Sequence, residues 1–162
     1  MAYASNCFKG GHDMKRVTKR AFTTVIACMM VCLMFVTPVF AASSNFSKTT
    51  VKLNAINGGT SRESKVTSGS VLGDNPSITN VDLWCNVASG TDPYVIYVKS
   101  PKGTVATISG PSKTGTVSTS AFNGENPSGT WTVWIQNLGV SYNGNIIPAS
   151  TVTVTLKVAY SY

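Results

Sequence analysis

AFNGENPSGTWTVWIQN, residues 121–137, is the stretch from which the fold is read. Gly124, Asn126, Pro127 and Gly129 make a turn. Gly and Asn accept positive φ and Pro fixes its own φ, so the backbone reverses tightly before the next element. That element alternates, with Trp131, Val133 and Ile135 on one side, the two-residue period of a strand with one buried face. Burying the Trp131 side chain contributes about 2–3 kcal/mol by the area rule. The stretch predicts the closing corner of a β-sandwich, with Trp131 seated between two sheets.

Working outward, the same period recurs. Between 78 and 87, Val81, Leu83, Cys85 and Val87 share one face while Asp82, Trp84 and Asn86 share the other. Residues 94–99 and 104–108 form a hairpin about the turn Ser100-Pro101-Lys102-Gly103, and 116–120 is a further short strand. The segment 151–160 alternates most strictly, with Val152, Val154, Leu156, Val158 and Tyr160 opposite Thr151, Thr153, Thr155 and Lys157. Toward the N-terminus, 49–53 reads as a first short strand and 64–72 as a weakly apolar edge strand. Residues 42–48 read as a frayed polar end, and 138–150 as a long loop with Gly139, Gly144 and Pro148. With no amphipathic helix after the leader, the fold class is all-β. An antiparallel β-sandwich or jelly roll of seven to nine strands is expected.

The first 41 residues are read separately. Met14-Lys15-Arg16 to Lys19-Arg20 is a basic n-region, 21–36 is apolar with only two Thr, and Val39-Phe40-Ala41 ends the run with small residues at the cleavage positions. This is the pattern of a secretory signal helix cleaved after Ala41, which predicts a secreted domain over 42–162 and no membrane attachment afterwards. Residues 1–13 carry no pattern, which leaves Met14 as an alternative start. The whole chain has a net charge of +7. Five of its 13 basic residues and one of its six acidic residues lie in the leader, so 42–162 keeps eight and five, a net of +3. Its lysines are scattered, without a basic stripe, and nucleic acid is not an expected partner. Cys7, Cys28 and Cys32 also leave with the leader. Cys85 remains without an internal partner, either a small buried hydrophobe or half of an intermolecular disulfide.

Chemistry is bounded by what 42–162 lacks. The single histidine, His12, precedes the leader, so no imidazole is available for acid–base work, a nucleophile triad or zinc ligation. The turn-located carboxylates make catalysis by an acid pair an unfavoured reading. Calcium suits them better, and Asp92 and Glu125 are the candidate ligands. Trp84, Trp134 and Tyr97 are out of phase with the apolar faces of their strands. They are either covered by the loop 138–150 with Tyr142, or exposed to stack on a glycan or anchor a protein partner.

Two motifs carry a resemblance. The segment 81–104, with Gly90-Asp92 and VIYVKSPKGT, and then FNGENPSGTW at 122–131, resembles the P domain (P/Homo B) of kexin- and furin-type proprotein convertases and related bacterial peptidases. The matching positions are Ser100, Pro101, Gly103 and Thr104, followed by Phe122, Gly124, Glu125, Gly129, Thr130 and Trp131. Pro93 departs from the family pattern, as does the last strand, which lacks a Trp near its start. The resemblance implies a jelly roll with a stabilising or docking role, its partner a protein such as a secreted protease. It brings an association with serine endopeptidases but no catalytic residues.

Overall fold

The computed structural model describes residues 41–141 and 146–162; residues 1–40, with Cys7, His12, Cys28 and Cys32, and residues 142–145, with Tyr142 and Gly144, lie outside them. Nine strands follow one another: β1 (Ser43–Thr49), β2 (Leu53–Ile56), β3 (Ser64–Thr67), β4 (Ser77–Val87), β5 (Tyr94–Lys99), β6 (Val105–Ser109), β7 (Gly115–Thr119), β8 (Thr130–Asn137) and β9 (Ala149–Ser161). They form two antiparallel sheets. Sheet A runs β1-β9-β4-β7, with β2 also on β9, and sheet B runs β3-β8-β5-β6.

β1 and β2 pair with successive halves of β9, at residues 155–161 and 149–152. Thr50 bridges the break between them: its N–H donates to the Val154 carbonyl at 2.9 Å and its hydroxyl accepts from the Val154 N–H at 3.1 Å. Taken as one interrupted strand, β1/β2 leaves eight strands in the orders 1-8-3-6 and 2-7-4-5, the arrangement of a jelly roll.

The inward faces match the alternation in the sequence. Val152, Val154, Leu156 and Val158 of β9, Val81, Leu83 and Cys85 of β4, Ile96 and Val98 of β5, and Trp131, Val133 and Ile135 of β8 are all buried. In β4 the period breaks once. Ile78 pairs with Tyr160 and Asn80 with Ala159, so Thr79 is an extra, bulged residue. Because of it both Ile78 and Val81 point inward, which an unbroken two-residue period forbids. Cys85 has no exposed surface, and burial pushes its thiol up to about 11. It is the small buried hydrophobe of the two readings above, held as an unreactive thiol.

Two expectations are corrected. Residues 42–48 are not a frayed end: Ser43–Thr49 is a strand in register with β9, fastened at its start by reciprocal bonds between Ala42 and Tyr162 (3.1 and 2.9 Å). Of its side chains Phe46 packs on the core, and backbone pairing to the β9 edge does the rest. The first strand expected at 49–53 is accordingly displaced, and the chain there steps between β1 and β2.

The edge of sheet B nearest β5 depends on a close approach. A Cβ at Gly110 would stand 2.2–2.6 Å from the Tyr94 ring. Gly110→Ala is expected to lower stability by roughly 1–3 kcal/mol, the usual cost of overpacking, as a fall in the urea midpoint at unchanged m. An unchanged midpoint would show that the ring moves aside freely.

Candidate functional site

The two motifs that carry the resemblance meet in space. Phe122 is buried against Trp131, ring edge to face with centroids 5.2 Å apart at 81°. Gly124 takes φ +83°, and the turn docks on the start of β4: Gly124 N–H donates to the Ile78 carbonyl, and Ile78 N–H to the Glu125 carbonyl, both at 2.9 Å. This holds the Glu125 carboxylate over the β5–β6 turn. There it accepts hydroxyl bonds from Ser100 (2.6 Å) and Thr104 (2.5 Å). Partial burial pushes its pKa up, but these two bonds and the nearby Lys102 charge outweigh that and leave it below the ordinary value of 4.5.

Asp92 lies elsewhere. Its Oδ2 accepts from the Ala149 N–H at 2.8 Å, its own N–H donates to the Ala149 carbonyl at 2.9 Å, and its carbonyl accepts from the Ser150 hydroxyl at 2.8 Å. It clamps the start of β9 just ahead of β5, whereas Glu125 binds the residue just after β5. A six-residue strand spans roughly 20 Å. The structure therefore does not bring Asp92 and Glu125 together, and they do not fit one calcium shell with oxygens at about 2.3–2.6 Å. Among the described residues no group of three or more His, Cys, Asp or Glu is placed to hold a metal ion.

The three aromatics separate into two environments. Tyr97 and Trp134 are directly opposite each other on β5 and β8, on the outer face of sheet B. Their rings stack 5.2 Å apart with planes 5° from parallel, so each covers a face of the other. The Tyr97 hydroxyl donates to Gln136 Oε1 (3.0 Å), and Gln136 Nε2 donates to the Gly58 carbonyl (3.2 Å). The pair is half-buried and largely spent on itself. In the described part of the loop after β8, Val140 lies beside Gly58 and the Ser141 N–H donates to Asn57 Oδ1 at 2.8 Å.

Trp84 lies on the outer face of sheet A, on the opposite side of the sandwich, with 47% of its surface exposed. Its cross-strand neighbours are Thr116 on β7 and Thr155 on β9. The Thr155 and Thr49 hydroxyls share a bond of 2.9 Å, which extends the row onto β1. One row on, Asn86 faces Thr153, and in the next Thr151 donates to Asn54 at 2.9 Å. Beside these rows lies a shallow groove of about 190 Å³ lined by Lys52, Asn86, Ala88, Thr151, Val152 and Thr153. On the other side of Trp84, Asp82 accepts from Asn80 and Ser118, both at 2.7 Å, and faces Lys157 across the strands. Trp84 was legible as an outward residue. Thr151, Thr153 and Thr155 are legible as the outward row of the last strand, but that this row adjoins Trp84 follows only from the pairing of β4 with β9.

No family model matches the chain, and no curated protein matches it. Among solved structures it is similar to the crystal structure of FlhE, with a TM-score of 0.50 and 13% identity over 75% of this chain and 97% of that one. A Tomato aspermy virus structure aligns at TM-score 0.41 and 7% identity, over 86% of this chain and 94% of that one. A Bacillus endospore appendage pilus aligns at 0.32 and 14%, over 74% and 90%. At these identities the first is a likeness of fold alone.

Proposed function

We propose that this chain is an exported, non-catalytic β-sandwich that serves as an accessory binding module, of the kind the P-domain resemblance implies. The observation that carries this reading is Trp84, a half-exposed indole on the outer face of sheet A whose cross-strand neighbours are Thr116 and Thr155. Leaving a large apolar ring in water is unfavourable, and a partner that covers it recovers that free energy. The leader pattern supports export. The contact between the two resemblance motifs through Glu125 supports a P-domain-like frame, and with it a secreted protease as one class of partner. A domain without histidine, whose Asp92 and Glu125 are occupied in holding turns, has little with which to turn over a substrate.

Export and the lack of catalysis are tested together. On expression of the full-length sequence in a secreting bacterial host, the medium should contain protein beginning at Ala42, by N-terminal sequencing. Retention in the cell with the leader uncut would defeat the export reading. Peptide and glycoside substrates should be left intact by the purified protein, and turnover above a blank would make it an enzyme.

A further inference from the structure

We infer that the outer face of sheet A is a binding site for a neutral polysaccharide, with Trp84 as its stacking surface and Asn86, Thr116, Thr153 and Thr155 as its hydrogen-bonding frame. This rests on the binding-module reading above and names the ligand class for the same face.

Three features of the face select the ligand. The first is composition. The outward positions of β4, β7 and β9 in the paired region are Asp82, Trp84 and Asn86, then Thr116 and Ser118, then Thr151, Thr153, Thr155, Lys157 and Ala159. Trp84 is the one large apolar side chain among them; Ile56, outward on β2, lies at the far end of the sheet opposite Ala149. The core of a protein interface is enriched in aromatic side chains and Met, and among these positions Trp84 has no such companion. A sugar ring has the complementary chemistry, since its C–H face covers an aromatic ring while its rim of hydroxyls meets donors and acceptors alongside.

The second is spacing. Neighbouring strands are about 4.8 Å apart and alternate residues about 6.6 Å apart along a strand. A ring laid on Trp84 therefore has the Thr116 and Thr155 hydroxyls on either side, with Asn86 and Thr153 within reach of the next ring. Asn86 accepts a long bond from Thr114 (3.5 Å) through its carbonyl oxygen, which leaves its amide N–H groups for a ligand. The groove at Lys52, Asn86, Thr151 and Thr153 continues the track from there.

The third is charge. Asp82 and Lys157 oppose each other in one row, and Lys52 stands alone at the groove. Among the described residues these lysines form no cluster of the kind that neutralises a polyanion.

The purified protein, expressed from the full-length sequence, would be tested on insoluble cellulose, xylan and chitin and on an array of neutral and anionic glycans. A purified secreted subtilisin-like protease would be the protein probe. At least one neutral glycan should be retained. Trp84→Ala should weaken it by roughly tenfold or more, as expected for a central Trp anchor. Asn86→Ala and Thr153→Val should each weaken it severalfold, and Trp134→Ala should leave it unchanged. Melting curves of the variants would confirm that each stays folded.

Undiminished glycan binding by Trp84→Ala would overturn the inference, as would binding to anionic glycans alone or to no glycan. If no glycan binds but the protease does, and Trp84→Ala abolishes that, the glycan assignment falls while the binding-module reading stands. If neither probe binds, the glycan assignment falls and the module reading loses its support.

Discussion

Trp131→Ala is expected to lower the unfolding temperature by roughly 10–20 °C. The indole has no exposed surface, packs edge-on against Phe122, and donates from Nε1 to the Pro127 carbonyl at 3.1 Å. Truncation removes its transfer free energy, leaves a cavity between sheets that cannot collapse, and orphans a buried carbonyl. Large-to-small changes of this kind cost about 3–5 kcal/mol. For a domain of about 120 residues, each kcal/mol moves the midpoint by roughly 3–5 °C. Trp131→Phe keeps much of the volume but not the N–H, so it should fall between the two. Thermal melts by circular dichroism would check the series, and a shift below about 5 °C for the alanine variant would refute the corner's central place in the core.

Glu125→Ala should cost about 2–4 kcal/mol, because charge-assisted hydrogen bonds are worth roughly 1.5–3 kcal/mol each and Ser100, which is buried, would lose its acceptor. The same site makes stability depend on pH. Its folded pKa lies below the ordinary value of 4.5, so at mildly acid pH the folded form keeps its charge where the unfolded chain has already bound a proton. The stabilisation is therefore full above the ordinary carboxylate range and is lost as pH falls through the depressed value. Denaturant midpoints between pH 7 and pH 3 should decline more steeply for the native protein than for Glu125→Gln. Equal slopes would show that the carboxylate is not held as a charged acceptor.

Much of this architecture was legible where one face of a strand is apolar. β8 and β9 announce themselves because Trp131, Val133 and Ile135, or Val152 through Tyr160, alternate without a break, and burial acts on that period directly. β1 was not legible, since SSNFSKT holds one apolar residue and becomes a strand through its pairing to β9. The Thr79 bulge was equally hidden, because a single inserted residue is a property of register and not of local sequence. At the candidate site, phase alone placed Trp84, Trp134 and Tyr97 outward. That two of them would cover each other while the third stands on the far sheet depends on which strands neighbour which. Glu125 likewise finds Ser100 and Thr104 more than twenty residues away, a meeting made by the order of strands.

Among the described residues the most C-terminal strand, β9, is an inner strand of sheet A. β9 supplies the pairing for β1, β2 and β4, so while its thirteen residues are still inside the ribosome those three strands lack a shared partner. A nascent chain of this order cannot close sheet A until β9 has emerged, and the long-range pairings it brings are slow to form. The β1–β9, β2–β9 and β4–β9 ladders are therefore made in one late step, and a chain cut short before β9 would leave three strands of sheet A without that shared partner.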